Sequence, residues 1–216
     1  MTAYYKWMLP DMRTPVQRTP WPVAVGEWTK PETPVLCESG WHAMEEKDVL
    51  NHLPSEYGAQ LWRVEVRGQM ARGDDKFAAE QMRLLYCLGE TTEQNLRLFA
   101  CDVAEDVLPI FEAKYPNDNR PRRAIEVTRL FCEGKATREE MYKSAWDAWA
   151  AGDAGDAGDA GDAGAAWAAW AAGAAGAAGD AWAAWAARAA WAAGAARAAA
   201  KEKYSNWLVV RIESGY

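Results

Sequence analysis

From Trp146 to Arg197 the sequence is an unbroken run of 18 triplets of the form X-(Ala/Asp)-Ala, in which X is Trp seven times, Gly nine times and Arg twice. A strict period of three over 52 positions constrains folding more than any other feature of the chain. On an α-helix each triplet advances about 300°, so successive X residues walk backwards around the axis and regain one meridian after about six triplets. Trp149, Trp167 and Trp185 therefore coincide. Six of the seven Trp fall within one third of the circumference, Trp191 being the exception, and seven of the nine Gly fall on another third. Helix is the expected state, because Ala is the strongest helix former. A single rod would be about 80 Å long. A break is expected at Gly152 to Gly164, where four Asp and five Gly remove packing side chains and each Gly costs about 1 kcal/mol relative to Ala.

The array Trp have two readings. The first is packing, within a core or between domains. The second is an aromatic and cationic surface for a base, a nucleotide or a partner helix, made by Trp149, Trp167, Trp170, Trp182 and Trp185 with Arg188 and Arg197. Arg120, Arg122 and Arg123 form another cluster, beside Pro121 at an expected helix start. They read first as salt-bridge partners of Asp102, Glu105 or Asp106 on the preceding helix, and second as an anion site.

Ahead of the array the patterns differ. Residues 1–73 carry nearly all the strand signal: Ala3 to Met8, Val35 to Glu38, and Leu61 to Arg67, where Trp62, Val64 and Val66 alternate with Arg63, Glu65 and Arg67. Glu46 to Leu53 can make one short helix before Pro54. Over residues 74–145 three or four short helices are expected. Asp74 or Asp75 caps one reaching Leu88; Thr91 with Gln94 caps the next, along which Leu96, Phe99, Val103, Val107 and Ile110 recur; Asp118 and Pro121 start a third ending at Gly134; and Thr137 with Glu140 repeats the capping box. The expected architecture is α+β: a small mixed domain at 1–73, a short-helix bundle at 74–145, long Ala/Trp/Gly-rich helices at 146–200, and a tail at 201–216 that is helix or strand.

The segment Arg97 to Met141, RLFACDVAEDVLPIFEAKYPNDNRPRRAIEVTRLFCEGKATREEM, followed by the array, resembles the immunity proteins of bacterial polymorphic toxin systems over residues 91–200. The resemblance implies action by binding, with no catalytic residues. The segments LCESGWHAMEEKDVLNHLP and LWRVEVRG resemble an uncharacterised domain of phage and bacterial proteins. A fainter similarity to ADP-ribosyltransferase-like folds would give weight to Gly40, His42 and Glu65.

The formal charge of −7, from 24 basic and 31 acidic residues, speaks against free DNA or RNA as a partner. Cys37, Cys87, Cys101 and Cys132 form no C-x-x-C pair, so neither zinc nor a disulfide framework is expected. A Cys37–His42 nucleophile pair is conceivable by spacing, but buried Cys beside a structural His is the plainer reading. Asp153, Asp156, Asp159 and Asp162 read as a solvated spacer rather than a calcium loop. Phosphate-loop, dinucleotide, zincin and serine-hydrolase motifs are missing, and no cofactor is expected. With no leader or membrane span in view, a cytoplasmic protein is expected. The leading expectation is a non-catalytic protein that neutralises a toxin or defence component in bacterial or phage conflict. A sponge for a small nucleotide signal and an ADP-ribosyltransferase-like enzyme are the alternatives, and assembly of copies is left open.

Overall fold

A computed structural model describes residues 2–155, 168, 171 and 197–215. Strands occupy residues 4–90 and helices 93–214, an α+β arrangement. The chain divides into two compact units, Met1–Thr91 with Ser205–Gly215, and Thr92–Tyr204.

In the first unit, β1 (Tyr4–Met8), β2 (Trp41–Glu45), β3 (Gln60–Arg72) and β4 (Phe77–Glu90) close into a barrel in the order β1-β2-β4-β3, every pair antiparallel. The alternation along β3 does what its pattern dictates: Trp62 and Val64 join the core with Met8, Trp21, Ala43, Phe77, Met82 and Leu84, and Val66 packs against it. Closure removes the exposed edges of a four-stranded sheet and leaves an interior that large side chains must fill.

Two expectations for this unit are corrected. Residues 77–90 are a strand, not a helix starting at Asp74. Gly73 to Lys76 is a hairpin loop, closed by the Gly73 N–H on the Lys76 carbonyl at 2.8 Å. The helix-forming run Ala78 to Leu85 is overridden by its ladder to β3, in which Met82 and Leu84 point inward while Gln81 and Arg83 are only half-buried. Val35 to Glu38 is a tight turn rather than a strand, with the Val35 N–H on the Ser39 carbonyl and Cys37 at a φ of 65°. The strand signal belongs to the residues just after it. The short helix is present as a 3-10 helix at Glu46–His52.

The C-terminal residues return to this unit as the second half of α4 (Arg197–Ser214). Ser205 Oγ donates to the Lys47 carbonyl at 2.9 Å and accepts the Leu50 N–H. Gly89 permits the approach of that helix, since a Cβ there would lie 2.4 Å from the Ile212 carbonyl oxygen.

In the second unit, α1 (Glu93–Lys114) opens on a capping box of Thr92 and Asn95, one residue later than the expected Thr91 and Gln94. Leu96, Phe99, Val103 and Val107 are buried as their spacing requires; Ile110 is exposed instead, and Phe111 takes the inward position. α2 (Arg120–Cys132) has Pro121 in its first turn and ends before Gly134, whose φ is 72°. At the start of α3 (Arg138–Gly155) the Glu140 N–H donates to Thr137 Oγ1 at 3.2 Å and the Thr137 N–H to Glu140 Oε2 at 2.7 Å, as that capping box requires. α3 crosses from the expected bundle into the array and continues through Gly152 to Gly155. The rest of the expected break at 152–164 lies outside the described residues.

Candidate functional site

α3 shows which side of a triplet helix faces inward. Ala145, Ala148 and Ala151 are at most 2% exposed and share that inner side with Met141 and Ser144. Trp146 and Trp149 are 59% and 38% exposed. Their rings meet edge to face, centroids 5.6 Å apart. Alanine lets α3 pack closely on α2, and the same period then carries the indoles away from the contact. Ala168 and Ala171 are likewise fully buried. Trp146 and Trp149 thus lie off the inner side of α3 that the alanines fill. Trp146 was not among the residues singled out from the sequence; its signal was its place one triplet before Trp149.

Two of the three clustered arginines hold carboxylates. Arg120 holds Asp118, both nitrogens engaged, with Nε–Oδ1 at 2.9 Å, and Asp147 of α3 adds to its field. Arg122 holds Glu112 in a two-pronged pair at 2.6 and 2.7 Å. These hydrogen bonds pull the carboxyls of Asp118 and Glu112 below their usual range. Arg123 is exposed. The expected partners are taken by others. Arg129 reaches Asp102 and Glu105 at 2.9 and 2.7 Å, while Lys203 and the Tyr204 hydroxyl take Asp106. An antiparallel α1–α2 hairpin sets the start of α2 beside the end of α1, which is why Arg122 meets Glu112 and only Arg129 comes level with Asp102. Arg197 opens α4; its side chain, with Trp167, Trp170, Trp182, Trp185 and Arg188, lies outside the described residues.

The catalytic constellations do not assemble. His42 Nε2 accepts the Cys37 backbone N–H at 3.0 Å, so that nitrogen cannot serve the thiol as a base. Burial, then the Lys6 and Lys76 charges, pull His42 below the ordinary imidazole range. Gly40 has a φ of 84°, and a Cβ there would meet Pro34 Cα at 2.9 Å, a turn requirement that explains the glycine without a ligand. Glu65 is an exposed β3 side chain paired with Arg83. Among the described residues no three His, Cys, Asp or Glu side chains are grouped to hold a metal ion. Asp153 lies on α3; Asp156, Asp159 and Asp162 are outside the described residues.

A family model described as Imm-5 like putative immunity protein matches residues 87–213. The chain belongs to this Imm-5 like family. The match takes in α1 to α3, the exposed Trp pair and nearly all of α4. A second model, a domain of unknown function (DUF7666), matches residues 2–95 and so covers the barrel strands. No curated protein and no solved structure matches the chain. Among the described residues no helix is long and apolar enough to cross a membrane.

Proposed function

We propose that this Imm-5 like chain neutralises a protein partner, a toxin or defence component of bacterial or phage conflict, by non-catalytic binding through the α3 face that carries Trp146 and Trp149. The observation that carries this reading is the exposed, edge-to-face indole pair on a helix whose opposite side is already packed. Tryptophans of this kind are the residues on which binding energy concentrates, since each hides a large area with little loss of side-chain freedom. The formal charge of −7 favours a partner with a basic surface. Of the arginines singled out for a nucleotide phosphate, Arg120 and Arg122 are held by Asp118 and Glu112, which lends less support to that reading.

The test is co-expression with each toxin or defence protein encoded beside the gene, scored by protection and by copurification. Trp146→Ala/Trp149→Ala should melt like the parent and lose partner capture by about 10² or more, the scale of two hot-spot truncations. Full capture and protection by the double variant would remove α3 from the interface.

A further inference from the structure

The barrel contains a second feature that a fold alone does not require. Period two along β1 puts Lys6 on the same side as Tyr4 and Met8, both of which pack on the barrel core. Lys6 is 8% exposed. Its Nζ donates to the His42 carbonyl at 2.7 Å and lies 5.9 Å from the centroid of Trp21. An ammonium has three N–H bonds to place, and one backbone carbonyl takes one of them. Trp21, also buried, leaves its indole N–H without a partner among the described residues. Trp21 and Trp41 meet edge to face at 5.3 Å, and the Trp41 N–H is already used on the Lys30 carbonyl.

The side-chain charges that act on the His42 ring have one sign. Lys6 and Lys76 both act on the His42 ring, and among the described residues no carboxylate acts on Lys6 or His42. Burial alone pushes Lys6 down to about 8. A buried ammonium without a counter-charge is destabilising, and so is a buried N–H without an acceptor. Two such donors, the ammonium over the Trp21 ring and that ring's own N–H, are what an anion's oxygens would satisfy.

We propose that this end of the barrel seats a small oxyanion, a carboxylate or phosphate group, on the Lys6 ammonium and the Trp21 indole N–H, with Lys76 adding a second positive charge and Trp21 and Trp41 flanking the apolar remainder of the ligand. The neutral His42 ring supports the seat by holding the Val35–Ser39 turn through Cys37, rather than by binding the anion. The seat lies in the barrel unit, so it is independent of the α3 surface.

The experiment uses the full chain with labelled indole nitrogens at neutral pH. Sodium phosphate and sodium acetate are titrated separately against sodium chloride at equal ionic strength, and the tighter of the two identifies the oxyanion class. The Trp21 N–H resonance, assigned by its loss in Trp21→Phe, should move saturably with phosphate or acetate and not with chloride. Lys6→Met should weaken binding by about tenfold or more, and Lys76→Gln by about threefold, the scale of charge-assisted and of half-exposed contacts. Lys76 is half-exposed, so Lys76→Gln keeps the test open if Lys6→Met does not fold. No saturable shift with either anion, an equal shift with chloride, or unchanged binding in the folded variants would each overturn the proposal. Trp146→Ala/Trp149→Ala should leave the titration untouched.

Discussion

The two units use the same side chain in opposite ways. In the barrel Trp7, Trp21 and Trp62 are 2%, 9% and 9% exposed, whereas on α3 the indoles of Trp146 and Trp149 stand out and alanines fill the contact. A closed barrel encloses a space that small residues cannot fill. Two helices can instead approach until alanines touch, and then no room is left for an indole between them. Hydrophobicity says that a Trp gains from burial; the geometry of the element decides whether burial is on offer.

That contrast can be broken or sharpened by measurement. Trp62→Ala should cost the barrel about 3–5 kcal/mol in a denaturant melt, the range for truncating a large core aromatic. A cost below about 1 kcal/mol would mean that the barrel interior is not held by its tryptophans.

The next largest effect is the pH response of Lys6. Its folded value of about 8 lies under the ordinary 10.5, so between these values the unfolded chain carries a proton that the folded chain has released. Barrel stability due to Lys6 therefore rises with pH across that window and is flat above it, while below about 8 the cost of the buried charge is felt in full. Compared with Lys6→Met in chloride buffer, the parent should recover stability on the order of 3 kcal/mol from pH 8 to 10.5. Taking the difference removes the opposing response of Tyr5, which burial and the Glu46 charge raise to about 12. A flat difference would show that folding leaves the Lys6 proton equilibrium unchanged.

On the helical side, Ala148→Leu should cost about 1–3 kcal/mol by overpacking the α3 contact, read as a lowered melting temperature. Thr92→Ala removes the side chain that accepts the Asn95 N–H at 3.0 Å, and should cost about 1 kcal/mol in the same assay. Trp149→Ala should change stability least, by less than about 1 kcal/mol, because more than a third of the side chain is already in water. If Trp149→Ala cost as much as Trp62→Ala, the distinction between the two units would collapse.

Much of the local structure was legible because it rests on short-range rules. The alternation at Trp62 to Arg67, the box at Thr137 and Glu140, and the stop at Gly134 are each written within a few residues. Failures came where partners distant in sequence decide. Ala78 to Leu85 has the composition of a helix and becomes a strand through its ladder to Met70, Val66 and Val64. Arg122 met Glu112 rather than Asp102 because its partner follows from the hairpin register, not from the count of nearby acids. For the candidate sites, the triplet period placed Trp149 on one face but not on the outer one. Lys6 was visible as the one charge in the run Tyr4-Tyr5-Lys6-Trp7-Met8, yet period two names its neighbours along β1 only; His42 and Trp21 come to it from elsewhere in the chain.

The sequence by itself determined that Trp146 and Trp149 share one side of α3, because residues three apart on a 3.6-residue turn lie about 60° apart. It also determined the α+β class, since strand alternation and helix capping are local, while the change from strands to helices falls at 90–93 rather than at 73. Only the tertiary structure decided that α3 turns its alanines inward and its tryptophans out, and that Lys6 is buried in a barrel with no counter-charge among the described residues. Both outcomes depend on which surfaces meet, and how closely two elements can approach is set by the residues of both partners at once.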